Sequence, residues 1–114
     1  MTKVSEPVSS YFRVIAEAAV FQPAKAAKAD LFRGGGLFVG LNCFEPGQTQ
    51  PVHTHAGADK FYLVVSGKAR MTVDRETRVV EAGTVVWAPA DVLHGVEEAL
   101  ERTVMLVAVA PPPA

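Results

Sequence analysis

The chain lacks the features that would direct it to nucleic acid, to a membrane surface or to a disulfide-rich class. Its 114 residues carry 11 lysines and arginines against 12 aspartates and glutamates, giving a formal net charge of -1. Without a basic excess, neither nucleic acid nor an anionic membrane is favoured as a partner. The single cysteine, Cys43, cannot form an internal disulfide, which fits a reducing compartment.

Long apolar runs are also missing from the sequence. No run approaches the roughly 20 residues needed to cross a bilayer, and residues 1–10 lack the cationic then apolar order of a secretory signal. We therefore expect a cytoplasmic location. With 49% hydrophobic and 20% charged residues in 114 positions, the composition is typical of one ordinary globular domain.

What the chain does contain is a succession of short apolar segments separated by turn-forming residues. The polar stretch Asp74-Arg75-Glu76 is interpreted as the tip of a hairpin. Strands at this regular spacing, without helical patterns between them, predict an all-β antiparallel sandwich or barrel. The predicted strands are 37–44, 61–65, 69–73, 77–80, 84–88 and 103–109.

The front of the chain is less clear. Residues 16–19 and 24–29 are rich in helix formers, but Pro23 interrupts them, so a short helix and a strand at a sheet edge both stay open. Gly34 to Gly36 is interpreted as a flexible turn, because a phosphate-binding loop would need a helix after it. We expect a single domain over 1–114, comprising an N-terminal strand or edge segment (1–30), a barrel (37–109) and an extended tail (111–114).

The three histidines are the strongest indication of chemistry. On an extended strand alternate side chains share a face, so His53 and His55 are expected to project together, about 7 Å apart along the backbone. One further ligand, supplied by His94, would complete a metal site. Neutral imidazoles suit Zn, Cu, Fe, Ni and Co rather than Mg or Ca. The alternative is that these histidines are packed or hydrogen-bonded residues without a ligand role.

At these positions the chain resembles the cupins, small jelly-roll barrels in which two motifs line one cavity. The residues that carry the resemblance are Gly47, His53, His55, Gly67, Gly83, Pro89 and His94. The match spans about half of the chain. It implies a double-stranded β-helix in which His53 and His55 come from the first motif and His94 from the second, converging inside the barrel as metal ligands.

The chain departs from the cupin pattern at Lys60, which stands where a glutamate or glutamine ligand is usual. A protonated lysine has no acceptor and cannot ligate a metal. Asp59 is a candidate replacement ligand if the strand begins with a bulge, although simple alternation points it away from the face of Lys60. In the second motif, Asp91 stands where a glycine is common.

Lys60 and Tyr62 are the candidate catalytic residues. Lys60 is either solvated or paired with Asp59, or it lies in the cavity as a general acid or base or as an anchor for an anionic substrate. Cys43, Tyr62 and Trp87 are most simply core residues, with pocket lining as the alternative.

These observations predict a small enzyme dependent on a divalent transition metal (Fe, Zn, Ni, Mn, Co or Cu) that oxygenates, isomerises or hydrolyses a small anionic or carbonyl-bearing molecule. The alternative is a non-catalytic module that binds or senses a small ligand, because one fold hosts both functions. The apolar segment 14–21 and exposed sheet edges also predict a homodimer that shares edge strands. A monomer in gel filtration at micromolar concentration would rule the dimer out.

Overall fold

The computed structural model describes residues 10–114, which form one short helix and nine strands. The six predicted strands are present with ends within two residues of expectation. The all-β prediction is therefore confirmed. The elements are α1 (Ile15–Ala18), β1 (Ala27–Arg33), β2 (Phe38–Phe44), β3 (Gln50–His53), β4 (Asp59–Ser66), β5 (Lys68–Val73), β6 (Glu76–Glu81), β7 (Val85–Ala88), β8 (His94–Ala99) and β9 (Thr103–Ala110).

The strands form two sheets in which the paired strands are antiparallel. One sheet has the order β1-β2-β9-β4-β7 and the other β3-β8-β5-β6. The chain crosses between the sheets six times, after β2, β3, β4, β6, β7 and β8, so strands distant in sequence become neighbours. This arrangement brings β3, from the first histidine motif, beside β8, from the second.

The space between the sheets is filled by alternate side chains of each strand. On β4, Lys60, Tyr62 and Val64 are buried while Asp59 and Phe61 are exposed, the period of two expected for a half-buried strand. Side chains of both sheets join there in a core cluster: Phe44, Tyr62, Val64, Ala69, Met71, Val80, Ala88, Val96, Ala99, Met105 and Val107.

The front of the chain covers the other face of the five-stranded sheet. Ile15 and Ala18 of α1 pack against a second cluster that includes Leu41 and the buried Cys43. Both alternatives for this region are therefore realised in part, as a four-residue helix and as an edge strand, β1. The triglycine forms a turn between β1 and β2, in which the amide of Gly34 donates to the carbonyl of Leu37 (2.8 Å).

The sequence prediction that Trp87 is a core residue is wrong. Its side chain is 55% exposed, because β7 is an edge strand and Trp87 points outward beside Phe61, its partner in the register with β4. Cys43 and Tyr62 are buried as expected. β1 and β7 lie at the edges of the larger sheet, where a second copy could pair, and the homodimer stays a prediction. The division of the chain into segments also stays a prediction.

Within residues 10–114, no helix has the length and apolar character required to span a membrane.

Candidate metal centre

The first two histidines of the site face each other across a strand pair. Register places His53 at the end of β3 directly opposite His94 at the start of β8, and their ring centroids lie 4.5 Å apart. The residue after His94 is Gly95, where a Cβ atom would lie 2.7 Å from the carbonyl oxygen of Gln50 and 2.9 Å from the backbone of Val52. A glycine is therefore required for β3 to approach β8 this closely.

His55 reaches the same place from the loop after β3. The strand ends at His53, so the sequence prediction of one extended strand through both residues fails for His55. Its ring centroid nevertheless lies 4.9 Å from that of His53 and 5.5 Å from that of His94. The His55 carbonyl accepts a hydrogen bond from the amide of Asp91 (3.1 Å), which ties this loop to the turn before His94. Asp91 has a φ of 67°, which explains why glycine suits this position.

The ring nitrogens are arranged as metal ligands would be. One potential ligand atom from each histidine lies within 4.8 Å of the others. The Nδ1 atoms of His53 and His94 lie 2.7 Å from the carbonyl of Pro51 and 3.1 Å from that of Val92. A carbonyl only accepts, so each Nδ1 carries the proton and Nε2 keeps its lone pair, the tautomer that binds metals through Nε2.

Two Nε2 atoms of the site, in His55 and His94, are buried and have no hydrogen-bond partner among residues 10–114. A buried polar atom without a partner costs free energy and calls for an explanation such as an ion or a water molecule. Metal–nitrogen bonds of about 2.0–2.1 Å would be reached from the present spacing by small movements of the rings. The donor set thus fits a divalent transition metal.

The electrostatics of the site keep these rings neutral. Burial lowers the pKa of His94 to about 4, with the neighbouring positive groups acting in the same direction and the Val92 carbonyl opposing them. Burial also lowers the pKa of His55, and the charge of Lys60 adds to this effect. Neutral imidazole is the form that binds a metal, so no proton has to be displaced from these two rings at neutral pH.

Two of the histidines, His53 and His55, line a cavity of about 910 Å³ beside β2 and β3. Polar side chains line much of it, in contrast to the apolar core cluster next to it. The lining residues are Gln22, Lys25, Ala26, Ala27, Lys28, Asn42, Phe44, Thr49, Gln50, Pro51, His53 and His55. A small molecule in this cavity would therefore lie beside the rings of His53 and His55, with the His94 ring centroid 4.5 Å from that of His53.

Comparison with known proteins identifies this architecture. The family model described as "Cupin domain" matches residues 40–110, more than half of the chain. The chain belongs to the cupin family. The resemblance carried by the glycine, proline and histidine pattern is thereby confirmed.

Relatives of this cupin extend over most of its length. An uncharacterized protein of Streptomyces coelicolor is 38% identical over 86 residues, which are 75% of this chain and 81% of the relative. A crystal structure from Thermus thermophilus has 33% identity and a TM-score of 0.84, covering 90% of this chain and 98% of the other.

More distant solved structures confirm the double-stranded β-helix. A Klebsiella pneumoniae protein described by that fold has a TM-score of 0.82 at 20% identity, with 90% of each chain covered. KdgF from a Halomonas species has a TM-score of 0.79 at 21% identity, covering 92% of this chain and 96% of KdgF. At these identities the likeness concerns the fold alone.

In this cupin, Lys60 takes the inward position on β4 that the family pattern gives to an acidic ligand. The side chain is 6% exposed, and its Nζ lies 4.6 Å from the centroid of the Tyr62 ring. Among residues 10–114, none of the ion pairs includes Lys60, so pairing with Asp59 is not observed. Burial lowers the pKa of Lys60 to about 8, with the charge of Lys28 as the smaller cause.

The structure does not bring Asp59 to the histidines. Its exposed side chain lies on the opposite face of β4 from Lys60, and its Oδ1 accepts a hydrogen bond from the amide of Ala90 (2.9 Å). The group of potential ligands is limited to the three histidines in the part of the chain described. Asp59 instead fastens the start of β4 to the turn that leads to His94.

Tyr62 is fully buried behind the site. Its hydroxyl donates to Oε1 of Gln50 (2.7 Å), and its ring centroid is 6.0 Å from that of His94. Burial raises the pKa of Tyr62, so the phenol stays protonated. It therefore acts as a hydrogen-bond donor that orients Gln50 at the cavity wall.

Sequence reasoning missed most of the residues that line the cavity, among them Asn42 and Lys28. These two lie opposite each other in the register of β1 and β2. Asn42 gave a usable signal, because it is the one amide within the apolar run 37–44. Lys28 gave none, since an isolated lysine on an edge strand is ordinarily a solvated side chain.

Proposed function

We propose that this cupin is a small metal-dependent enzyme in which His53, His55 and His94 hold a divalent transition metal. The observation that carries the proposal is the pair of buried Nε2 atoms without partners, on rings that converge with His53. Three protein ligands leave positions open for water or substrate, as in catalytic rather than structural centres. The metal would supply Lewis-acid chemistry or, if redox-active, oxygen chemistry at a bound substrate.

The residues around the triad favour a small anionic or carbonyl-bearing substrate. Lys60 is buried and its charge acts on His55 and His94, so its ammonium can attract an anion towards them or, with a pKa lowered to about 8, exchange a proton with the substrate. Tyr62 holds Gln50 at the cavity wall through its hydroxyl. Oxygenation, isomerisation and hydrolysis are all compatible with this set of groups.

The alternative proposal is a non-catalytic module that holds or senses a small ligand. It is favoured by Lys60, which stands where an acidic fourth ligand is usual and adds a positive charge near the proposed metal. A positive charge there weakens the attraction for a cation. The same cavity would then serve for binding alone.

The test of the metal site is elemental analysis of protein purified without added metal. We expect close to one equivalent in the wild type and a loss of most of it in His53→Ala and His94→Ala, because two nitrogens bind far more weakly than three. Thr54→Ala, an exposed position between two of the histidines, is the matched control and should keep the metal. Equal metal content in wild type and histidine variants would remove the proposed site.

Turnover separates the enzyme from the binding module. The metal-loaded protein is screened in an oxygen electrode and by proton NMR with thiols, diketones and hydroxy acids. Oxygen uptake or product formation that is lost in His94→Ala supports the enzyme. Saturable binding without conversion of any compound supports the module.

A further inference from the structure

Asn42 is a buried amide that the fold itself does not use. Its side chain is 4% exposed, and its Nδ2 has no hydrogen-bond partner within residues 10–114. It lies on the same face of β2 as Phe44, and both line the cavity that contains His53 and His55. A buried N–H donor without an acceptor destabilises a protein, so a leucine would serve the fold better here. An acceptor supplied by a ligand accounts for the amide.

The neighbour of Asn42 on the adjacent strand is a cation. Lys28 of β1 lies directly opposite Asn42, and side chains in that position share one face of the sheet. Lys28 lines the same cavity, as does Lys25. Its charge also acts on Lys60 and His55, which places it close to the metal centre. The buried amide of Asn42 and the exposed Lys25 and Lys28 thus line one part of the cavity.

The cavity wall offers nothing to neutralise these cations. Of the described residues, no aspartate or glutamate lines it. No arginine lines it either, and phosphate sites commonly rely on arginine or on a helix N-terminus. An N–H donor beside an ammonium group matches the two oxygens of a carboxylate. A carboxylate is the complementary ligand for this pair of groups, and phosphate, which lysines also bind, is its competitor in the test.

We propose that Asn42 and Lys28 form a carboxylate-binding subsite next to the histidine centre. The Nδ2 atom of Asn42 donates to one carboxylate oxygen, and the Lys28 ammonium pairs with the group. The ligand is a small organic acid with a further oxygen function, an oxo, hydroxyl or second carboxylate group, directed at the histidines. The inference rests on the proposed function for that second contact, whereas the carboxylate contact itself needs no metal.

The test measures succinate binding by isothermal titration calorimetry. We expect Asn42→Asp, which replaces the donor by a negative charge, to raise Kd more than tenfold, and Asn42→Leu to raise it about tenfold. Lys28→Met should raise it several-fold. Lys68→Met removes the same charge from a partly exposed lysine on β5 that pairs with Glu101, and should leave Kd unchanged.

Thermal unfolding without ligand gives a second readout. Asn42→Leu should melt at a higher temperature than the wild type while losing the upward shift that succinate gives the wild type. A purely structural amide would give the opposite result, a lower melting temperature with the succinate shift retained.

The subsite is overturned if the Asn42 variants bind succinate as the wild type does, or if the wild type does not bind it. Tighter binding of inorganic phosphate than of succinate would overturn the carboxylate assignment. Failure of the metal proposal would give a different set of results. In that case metal content is equal in wild type and histidine variants, while succinate binding still depends on Asn42.

Discussion

The interior of this cupin contains two regions of opposite character. In the core cluster, side chains such as Val64, Met71 and Met105 are in apolar contact with one another. In and beside the histidine cavity, three buried polar atoms have no hydrogen-bond partner among residues 10–114: Nδ2 of Asn42 and Nε2 of His55 and His94. The first region stabilises the fold by burial, whereas the second lowers stability until a ligand satisfies it.

The same strands build both regions. On β4, Lys60 and Val64 are buried on one face with Tyr62 between them. On β2, Phe44 belongs to the core cluster and also lines the cavity, two residues from Asn42. The two regions therefore differ in a few side chains on shared strands, and variants can test each region separately.

The largest effect is expected in the core cluster. Met105→Ala removes a fully buried side chain and should lower the free energy of unfolding by about 2–5 kcal/mol, measured by urea denaturation. Metal content of the folded fraction should stay at the wild-type level, because no histidine is changed. Loss of metal from the folded variant would show that the two regions are not separable.

Lys60→Met should change how stability depends on pH. The pKa of Lys60 is about 8 in the folded protein against 10.5 for an ordinary lysine. Between these values the unfolded chain binds a proton that the folded protein has lost, so the wild type gains stability as the pH rises, by on the order of 3 kcal/mol. Below pH 8 Lys60 is charged in the folded and in the unfolded protein. Burial of that charge then makes the folded protein less stable, by the same amount, than it is above the pKa of an ordinary lysine.

Urea denaturation of the metal-free protein across pH 7–11 checks this difference. The Lys60→Met variant should lack the rise, whereas Lys68→Met, which changes a partly exposed lysine, should keep it. Parallel pH curves for the wild type and Lys60→Met would contradict the burial of an ionisable amine.

The smallest effect is expected at Asp59, outside both regions. Asp59→Ala removes the acceptor of the Ala90 amide and should cost about 1 kcal/mol of stability with no loss of metal. Asp59→Asn keeps an oxygen acceptor and should recover most of that stability. Loss of metal from both variants would instead return Asp59 to the set of ligands.

The sequence predicted well what short-range patterns encode. Alternation placed the strands, and the spacing of His53, His55 and His94 within two motifs predicted their convergence. The approach of β3 to β8 depends on Gly95, whose importance appears only when the backbone of Gln50 and Val52 is seen next to it. Local patterns contain no information on that contact.

The misses have physical causes of the same kind. Trp87 lies in a run of apolar side chains typical of a core strand, but β7 has a neighbour on one side only and presents Trp87 to solvent. Lys60 could not be assigned to the interior, because a buried lysine contradicts the usual preference of that residue. Asn42 stands out in the sequence as an amide within an apolar run, but a role in binding became apparent only from its missing partner.

The direct opposition of His53 and His94 has a mechanical consequence. β3 is a four-residue strand at the edge of its sheet, and β8 is its one neighbour there. An ion bound by both rings would link β3 more firmly to β8. Through His55, the same ion would also hold the loop that follows β3. Loss of the ion would then also reduce the order of β3 and of the loop after it.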